Sequence, residues 1–168
     1  MYQVYLGIGS NLGNRLENLS RAIEEIASIA TIESTSSIYE TEPVDIVNCE
    51  NFLNMAISIR TEDDPPLLLA RLKKIEKKLG RKQQTHLEAR IIDIDILMYR
   101  GFAYEDNTVK VPHKELANRR FALEPLCEIA PTAVHPSLEK TIATLLRNCR
   151  DNHKVIKTEH QVNLSVIH

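Results

Sequence analysis

Tryptophan is absent from the 168 residues, aromatic side chains make up 5%, and glycine and cysteine number only five and three. Cys49, Cys127 and Cys149 are odd in number, lie far apart and form no Cys-x-x-Cys. That argues against a disulfide framework or a zinc site and for a reducing compartment. Neither sign of charge is in excess: 21 lysines and arginines face 23 aspartates and glutamates, a formal net charge of −2. The basic surplus with which a general nucleic-acid binder neutralises phosphate is therefore missing. No apolar run approaches the ~20 residues of a membrane span, and Met1 to Leu6 reads as a strand with no basic leader or cleavage site. The chain shows no internal repeat, low-complexity stretch or Pro/Gly/Ser-rich linker. These absences lead us to expect a cytoplasmic protein with no membrane or nucleic-acid partner; a monomer is expected as well, though no absence bears on it. What is present, 43% hydrophobic and 26% charged residues, is the composition of one globular domain.

Periodicity orders that domain. Tyr2 to Ile8 reads as a strand ended by a glycine-rich turn over residues 7–13, and Leu16, Leu19, Ile23 and Ile26 form a helical stripe. Thr31 to Thr41 suits a second strand. In Phe52 to Thr61, Leu53, Met55, Ile57 and Ile59 face one way, whereas Phe52, Asn54, Ala56 and Ser58 face the other. Asp63-Asp64-Pro65-Pro66 starts a second helix carrying Leu68, Leu72, Ile75 and Leu79, with Gly80 as its stop. Ile91 to Tyr99, apolar on both faces apart from two carboxylates, predicts a central strand. The order β-α-β-β-α-β is that of a ferredoxin-like α/β (α+β) core with a mainly antiparallel sheet. Short C-terminal additions follow: a small strand near Thr108 to Val111 and helices over Ala122 to Ile129 and Thr141 to Cys149. We expect a single catalytic domain over residues 1–150, with 151–168, where Val162, Leu164 and Val166 alternate, as a tail or extra strand.

Asp93 and Asp95 are two apart on the apolar strand and project from one face. Two anions so placed need a cation or hydrogen bonds. Their hard oxygens, without nearby His or Cys, suit Mg²⁺, which fills its shell from substrate phosphates; a strand end where both reach water or arginines is the other reading. Arg81, Arg90 and Arg119 lie around the pair in sequence, and arginine forks match phosphate oxygens. Taken singly, Arg81, Lys82 and Arg120 also read as solvated surface charges, and His113 as a structural histidine. Gly7-x-Gly9 fails the dinucleotide fingerprint because Gly13 comes one residue late, and no Gly-Lys-Ser/Thr follows for a P-loop. A tight turn bringing backbone close to a ligand or strand is what it implies.

Several segments together resemble the 6-hydroxymethyl-7,8-dihydropterin pyrophosphokinase (HPPK) family. They are Leu6-Gly-Ile-Gly-Ser-Asn-Leu-Gly13, Ser37-Ile-Tyr-Glu-Thr-Glu-Pro43, Phe52-Leu-Asn-Met-Ala56, Gly80-Arg81, Arg90-Ile-Ile-Asp-Ile-Asp-Ile-Leu97, Val111-Pro-His113 and the run Asn118 to Pro131. The resemblance spans Tyr5 to Pro136. It implies a ferredoxin-like fold, ATP and a hydroxymethyl dihydropterin as small-molecule substrates, two Mg²⁺ ions, and pyrophosphoryl transfer with release of AMP in folate biosynthesis. By position it makes Asp93 and Asp95 metal-binding carboxylates, with Arg81 and Arg90 beside them in catalysis. Thr41, Val44, Phe52, Asn54 and Phe121 then line the pterin pocket, while Glu76, Arg81, Arg90, His113 and Arg119 fall on the ATP side. The loop His86-Leu87-Glu88-Ala89-Arg90 keeps only the last arginine of an Arg-Trp-Gly-Pro-Arg run found in many members; this loop and the preceding residues 82–85 are expected to close over ATP. Two other classes remain in view: an RNA-recognition domain with the same element order, and a non-catalytic metabolite-binding domain.

Overall fold

The structure, a computed structural model, describes residues 1–45, 48–82 and 88–162. The loop over 83–87 and the alternation at Leu164 and Val166 lie outside the described residues. The first half of the chain runs β1 (Tyr2–Ser10), α1 (Arg15–Ala27), β2 (Thr31–Thr35), β3 (Tyr39–Thr41), β4 (Phe52–Thr61), α2 (Pro65–Lys78) and β5 (Asp93–Tyr99). The C-terminal part adds a hairpin of β6 (Tyr104–Glu105) and β7 (Lys110–Val111), a 3-10 turn over Leu116–Asn118, and α3 (Arg120–Ile129). A second hairpin, β8 (Val134–His135) and β9 (Lys140–Thr141), then α4 (Ile142–Asn148) and β10 (Val155–Lys157) complete it. One antiparallel sheet runs β10-β3-β4-β1-β5, with β2 also on β4. This is the ferredoxin-like arrangement with short additions.

Helices cover both faces. Val4, Leu6 and Ile8 of β1 and Leu53, Met55, Ile57 and Ile59 of β4 meet Leu19, Ile23 and Ile26 of α1 and Leu68 and Leu72 of α2 in one core. On the other face Tyr5, Ala56, Leu97 and Met98 meet Leu123 and Leu126 of α3 and Leu145 of α4. The alternation expected in β4 is thus the division between two cores. Helix starts follow capping chemistry: Asn14 and Asp64 accept the N–H groups of Glu17 and Leu67. Gly80, with φ +102°, takes the left-handed turn that closes α2.

Three expectations change. The segment Thr31 to Thr41 is two strands along one edge of β4, because at Ser36 the side chain takes over the pairing: its Oγ accepts Ala56 N–H at 2.9 Å. Gly7 and Gly9 lie inside β1, and of the early glycines only Gly13, φ +71°, is in the turn. The last core strand begins at Asp93 and is an edge strand, not a central one. It reads as central because both faces are covered and Leu97 C=O accepts His113 N–H at 2.8 Å. Within the expected tail or extra strand over 151–168, Val155–Lys157 form a strand paired with β3.

Candidate active site

Register places the functional side chains in rows across one sheet face. Asn54 of β4 pairs with Gly9 of β1, which pairs with Asp93 of β5; Ala56, Gly7 and Asp95 form the next row. Thr41 of β3 pairs with Phe52. Gly9 must lack a side chain: a Cβ there would stand 2.3 Å from Asn54 Oδ1. The floor is therefore flat, flanked by an amide on one side and two carboxylates on the other. Over it opens a cleft of about 420 Å³ lined by Thr41, Val44, Phe52, Asn54, Arg81, Arg90, Asp93, Asp95, His113, Arg119 and Phe121. Those eleven residues, expected from sequence on three strands and four loops or helix ends, meet in one place.

At the amide end, Asn54 Nδ2 donates to Thr41 Oγ1 at 2.7 Å, which fixes the amide while Oδ1 lies over Gly9. The Phe52 and Phe121 rings both face the cleft, and the Arg119 guanidinium carbon lies 5.6 Å from the Phe121 ring centroid.

At the carboxylate end, Asp93 is held from both sides: Arg81 Nη1 donates to Oδ1 at 2.9 Å and Arg90 Nη1 to Oδ2 at 3.0 Å. Glu76 does not line the cleft. It stands behind, accepting Ile94 N–H at 2.7 Å and pairing with Arg81 at 2.8 Å, so it reaches the site through Arg81. Burial pushes the Glu76 carboxyl up, against the lowering pull of Ile94 N–H and Arg81. Burial would lower the Arg81 pKa, but Asp93 and Glu76 raise it above the ordinary arginine value. Asp95 makes no ion pair among the described residues, and its pKa is raised to about 7, first by burial and then by the charges of Asp93 and Glu76, against Arg119 and Arg81. Burial, then Arg119, lowers the His113 pKa. Its Nδ1 accepts Glu115 N–H at 3.1 Å, which leaves the ring proton on Nε2.

The donor set fits magnesium. No group of three or more His, Cys, Asp or Glu suited to a metal occurs among the described residues. Two adjacent carboxylates, of which one makes no ion pair among the described residues, suit an ion that shares its shell with phosphates and water.

Sequence reasoning missed Glu42, Asp45 and Lys114 in the lining, and Asn11. Asn11 exchanges hydrogen bonds with the Arg90 backbone (3.0 and 2.6 Å) and donates to Glu50 C=O at 3.3 Å, joining the roots of two loops. It stood within the Gly-Ser-Asn run without any mark of that role, and Lys114 merely followed His113.

Fold and cleft together define a ferredoxin-like α/β domain with a bare glycine floor beside a carboxylate–arginine cluster. A sequence model of the 7,8-dihydro-6-hydroxymethylpterin-pyrophosphokinase (HPPK) family matches residues 5–131, and the chain belongs to that family. It is 40% identical over 142 residues to the 2-amino-4-hydroxy-6-hydroxymethyldihydropteridine pyrophosphokinase of Aquifex aeolicus, covering 84% of this chain and 89% of the relative. The Haemophilus influenzae protein of the same name is 33% identical over 159 residues, covering 94% and 98%. Among solved structures, a Plasmodium falciparum HPPK-DHPS superposes with a TM-score of 0.69 at 19% identity; this covers 87% of the chain but 44% of that longer polypeptide. That likeness bears on the fold alone. No helix among the described residues is long and apolar enough to cross a membrane. Membership does not favour the non-catalytic alternative.

Proposed function

We infer that this chain transfers the β,γ-pyrophosphoryl group of ATP to the hydroxymethyl oxygen of 6-hydroxymethyl-7,8-dihydropterin, the pyrophosphokinase step of folate biosynthesis, in the cleft just described. The observation that carries the reading is the row Asn54–Gly9–Asp93, which sets a rigid amide and a bare floor one strand from the carboxylate–arginine cluster.

At the amide end, Phe52 and Phe121 offer apolar faces to a flat ring. Asn54 presents a carbonyl whose direction Thr41 fixes, and Val44 closes the side. A pterin edge alternates donors and acceptors, which an amide can match. At the other end, Arg81, Arg90 and Arg119 neutralise the triphosphate, and neutral His113 donates from Nε2. Glu76 keeps Arg81 oriented. The pterin oxygen forms a bond to the β-phosphorus, the bond from that phosphorus to the oxygen bridging the α-phosphate breaks, and its electron pair leaves with AMP. The hydroxyl proton goes to solvent. Such transfers depend on alignment and charge, so no dedicated protein base is needed. Magnesium, two ions by family resemblance, would be held by Asp93 and Asp95 and would supply charge compensation to the phosphates.

The reading extends to a monomer acting in the cytoplasm on small molecules, without nucleic acid; three free cysteines support a reducing compartment, and the balanced charge supports the lack of a nucleic-acid partner. It takes residues 1–150 as one catalytic domain, and 151–168 as an appendage whose strand β10 joins the same sheet. The test is a mass measurement of products from ATP, Mg²⁺ and the hydroxymethyl dihydropterin. AMP and a pyrophosphorylated pterin are expected; ADP and a monophosphorylated pterin would refute the reaction.

A further inference from the structure

The segment Cys149–Thr158 lies beyond the residues that the family model matches, yet it is tied to both sides of the pterin end of the cleft. At one side it grips the start of α3. Asp151 Oδ2 accepts Arg120 N–H at 3.0 Å, and the Arg120 side chain returns to the same segment, Nε to Asp151 C=O at 2.9 Å and Nη2 to Cys149 C=O at 3.4 Å. Arg119 and Phe121 flank Arg120 and both line the cleft. Three residues later the segment reaches the other side. Lys154 C=O accepts Glu42 N–H at 3.1 Å, and Val155, Ile156 and Lys157 pair with Thr41, Glu40 and Tyr39. The far end is pinned by Thr158, whose N–H and Oγ both donate to Ile38 C=O.

Asp151 is well suited to hold the near end. Its side chain is 8% exposed. It also accepts His153 N–H at 3.0 Å and contacts His153 Nδ1 at 2.5 Å, so both oxygens are engaged. Burial alone would raise its pKa, but the His153 and Arg120 hydrogen bonds lower it below the ordinary carboxylate value. The α3 start has no other side-chain cap, so Asp151 supplies from outside the helix the acceptor that its first turn lacks.

We propose that Asp151 and the strap it anchors are a positioning device for pterin recognition, setting the spacing between Phe121 on α3 and Thr41 on β3. Asp151 touches no substrate; it acts through Arg120 and its neighbours. This rests on the pterin-site reading above, since it is that pocket whose width the strap fixes. A loosened strap leaves the Asp93–Asp95–Arg90 cluster, held from β5 and through Asn11 from the end of β1, in place.

The test is steady-state kinetics on Asp151→Ala, Asp151→Asn and Thr158→Val in the full chain, with each variant's folding checked by circular dichroism. Losing a buried charged acceptor should raise the KM for the hydroxymethyl dihydropterin about tenfold in Asp151→Ala, and the KM for ATP, to which Arg119 is one of three arginine contributors, by no more than about twofold. Asp151→Asn, which keeps one oxygen acceptor for Arg120 N–H, should recover part of the loss. Thr158→Val removes one side-chain hydrogen bond beyond β10 and leaves Val155–Lys157 paired with β3, so it should lower Tm without moving the pterin KM. Should Asp151→Ala lower Tm alone, or raise both KM values by the same factor, the strap is a stability element and the inference falls. If Asp151→Ala does not fold, Asp151→Asn with an unaltered pterin KM is the overturning result. Phe121→Ala separates the two readings: if it too leaves pterin capture intact, the pocket assignment has failed, whereas if it weakens capture and Asp151→Ala does not, only the strap has.

Discussion

Replacing Asp95 by asparagine should make the metal-free protein more stable, and increasingly so as pH rises. Its carboxyl titrates near 7 in the folded chain against an ordinary 3.8. Between those values the folded state holds a proton that the unfolded state has released. Stability therefore falls as pH rises through that window: the cost of Asp95 is absent below the unfolded value and complete above the folded one. At about 1.4 kcal/mol per tenfold change in proton affinity, the ceiling is about 4 kcal/mol. Contact with solvent in the cleft reduces it to roughly 2 kcal/mol. For a chain of this size that is a rise of roughly 4–8 °C in Tm near pH 8, with almost none near pH 4. Urea or thermal unfolding of Asp95→Asn and the parent chain across this range, with a chelator present, measures it. The difference between the two proteins cancels groups that titrate alike in both. Magnesium should then stabilise the parent chain more at pH 8 than at pH 5 and leave Asp95→Asn largely unaffected, since the ion and the proton compete for one carboxylate. Equal stability differences at acid and alkaline pH would refute the claim that Asp95 is an uncompensated buried charge.

Asp95→Ala should abolish turnover while leaving calorimetric pterin binding within a fewfold; near-normal turnover would remove the carboxylate from the reaction. Asn54→Ala should weaken pterin capture by about ten- to a hundredfold, the value of a buried polar partner, read by calorimetry on the ternary complex; unchanged affinity would take Asn54 out of the pocket. Gly9→Ala forces a methyl against Asn54 Oδ1, and because Thr41 restrains that amide the pterin KM should rise by about tenfold. An unaltered KM there would mean that the amide can turn aside.

Local pattern was enough for much of this chain. The β4 alternation assigned each residue from Leu53 to Ile59 to its face because a pleated strand allows two directions and no others. The proline pair after Asp64 and the glycine at 80 bounded α2 for equally local reasons, a capping acceptor at one end and a positive φ at the other. The carboxylates two apart on β5 announced a charge problem that any fold would have to answer. What the sequence could not decide was who answers it. That Arg81 and Arg90 grip Asp93 while Asp95 makes no ion pair among the described residues depends on where α2 ends relative to β5. The edge position of β5 was concealed by helices covering both of its faces. Gly9 lies under Asn54 through the pairing of strands 45 residues apart. The three residues Val155–Lys157 carry no periodicity long enough to read, and that strand pairs with β3 at the end of the sheet. Side-chain direction and helix ends follow from neighbours along the chain. Cleft width, charge pairing and the row of facing residues follow from neighbours across the sheet, and those are set only when the layers close.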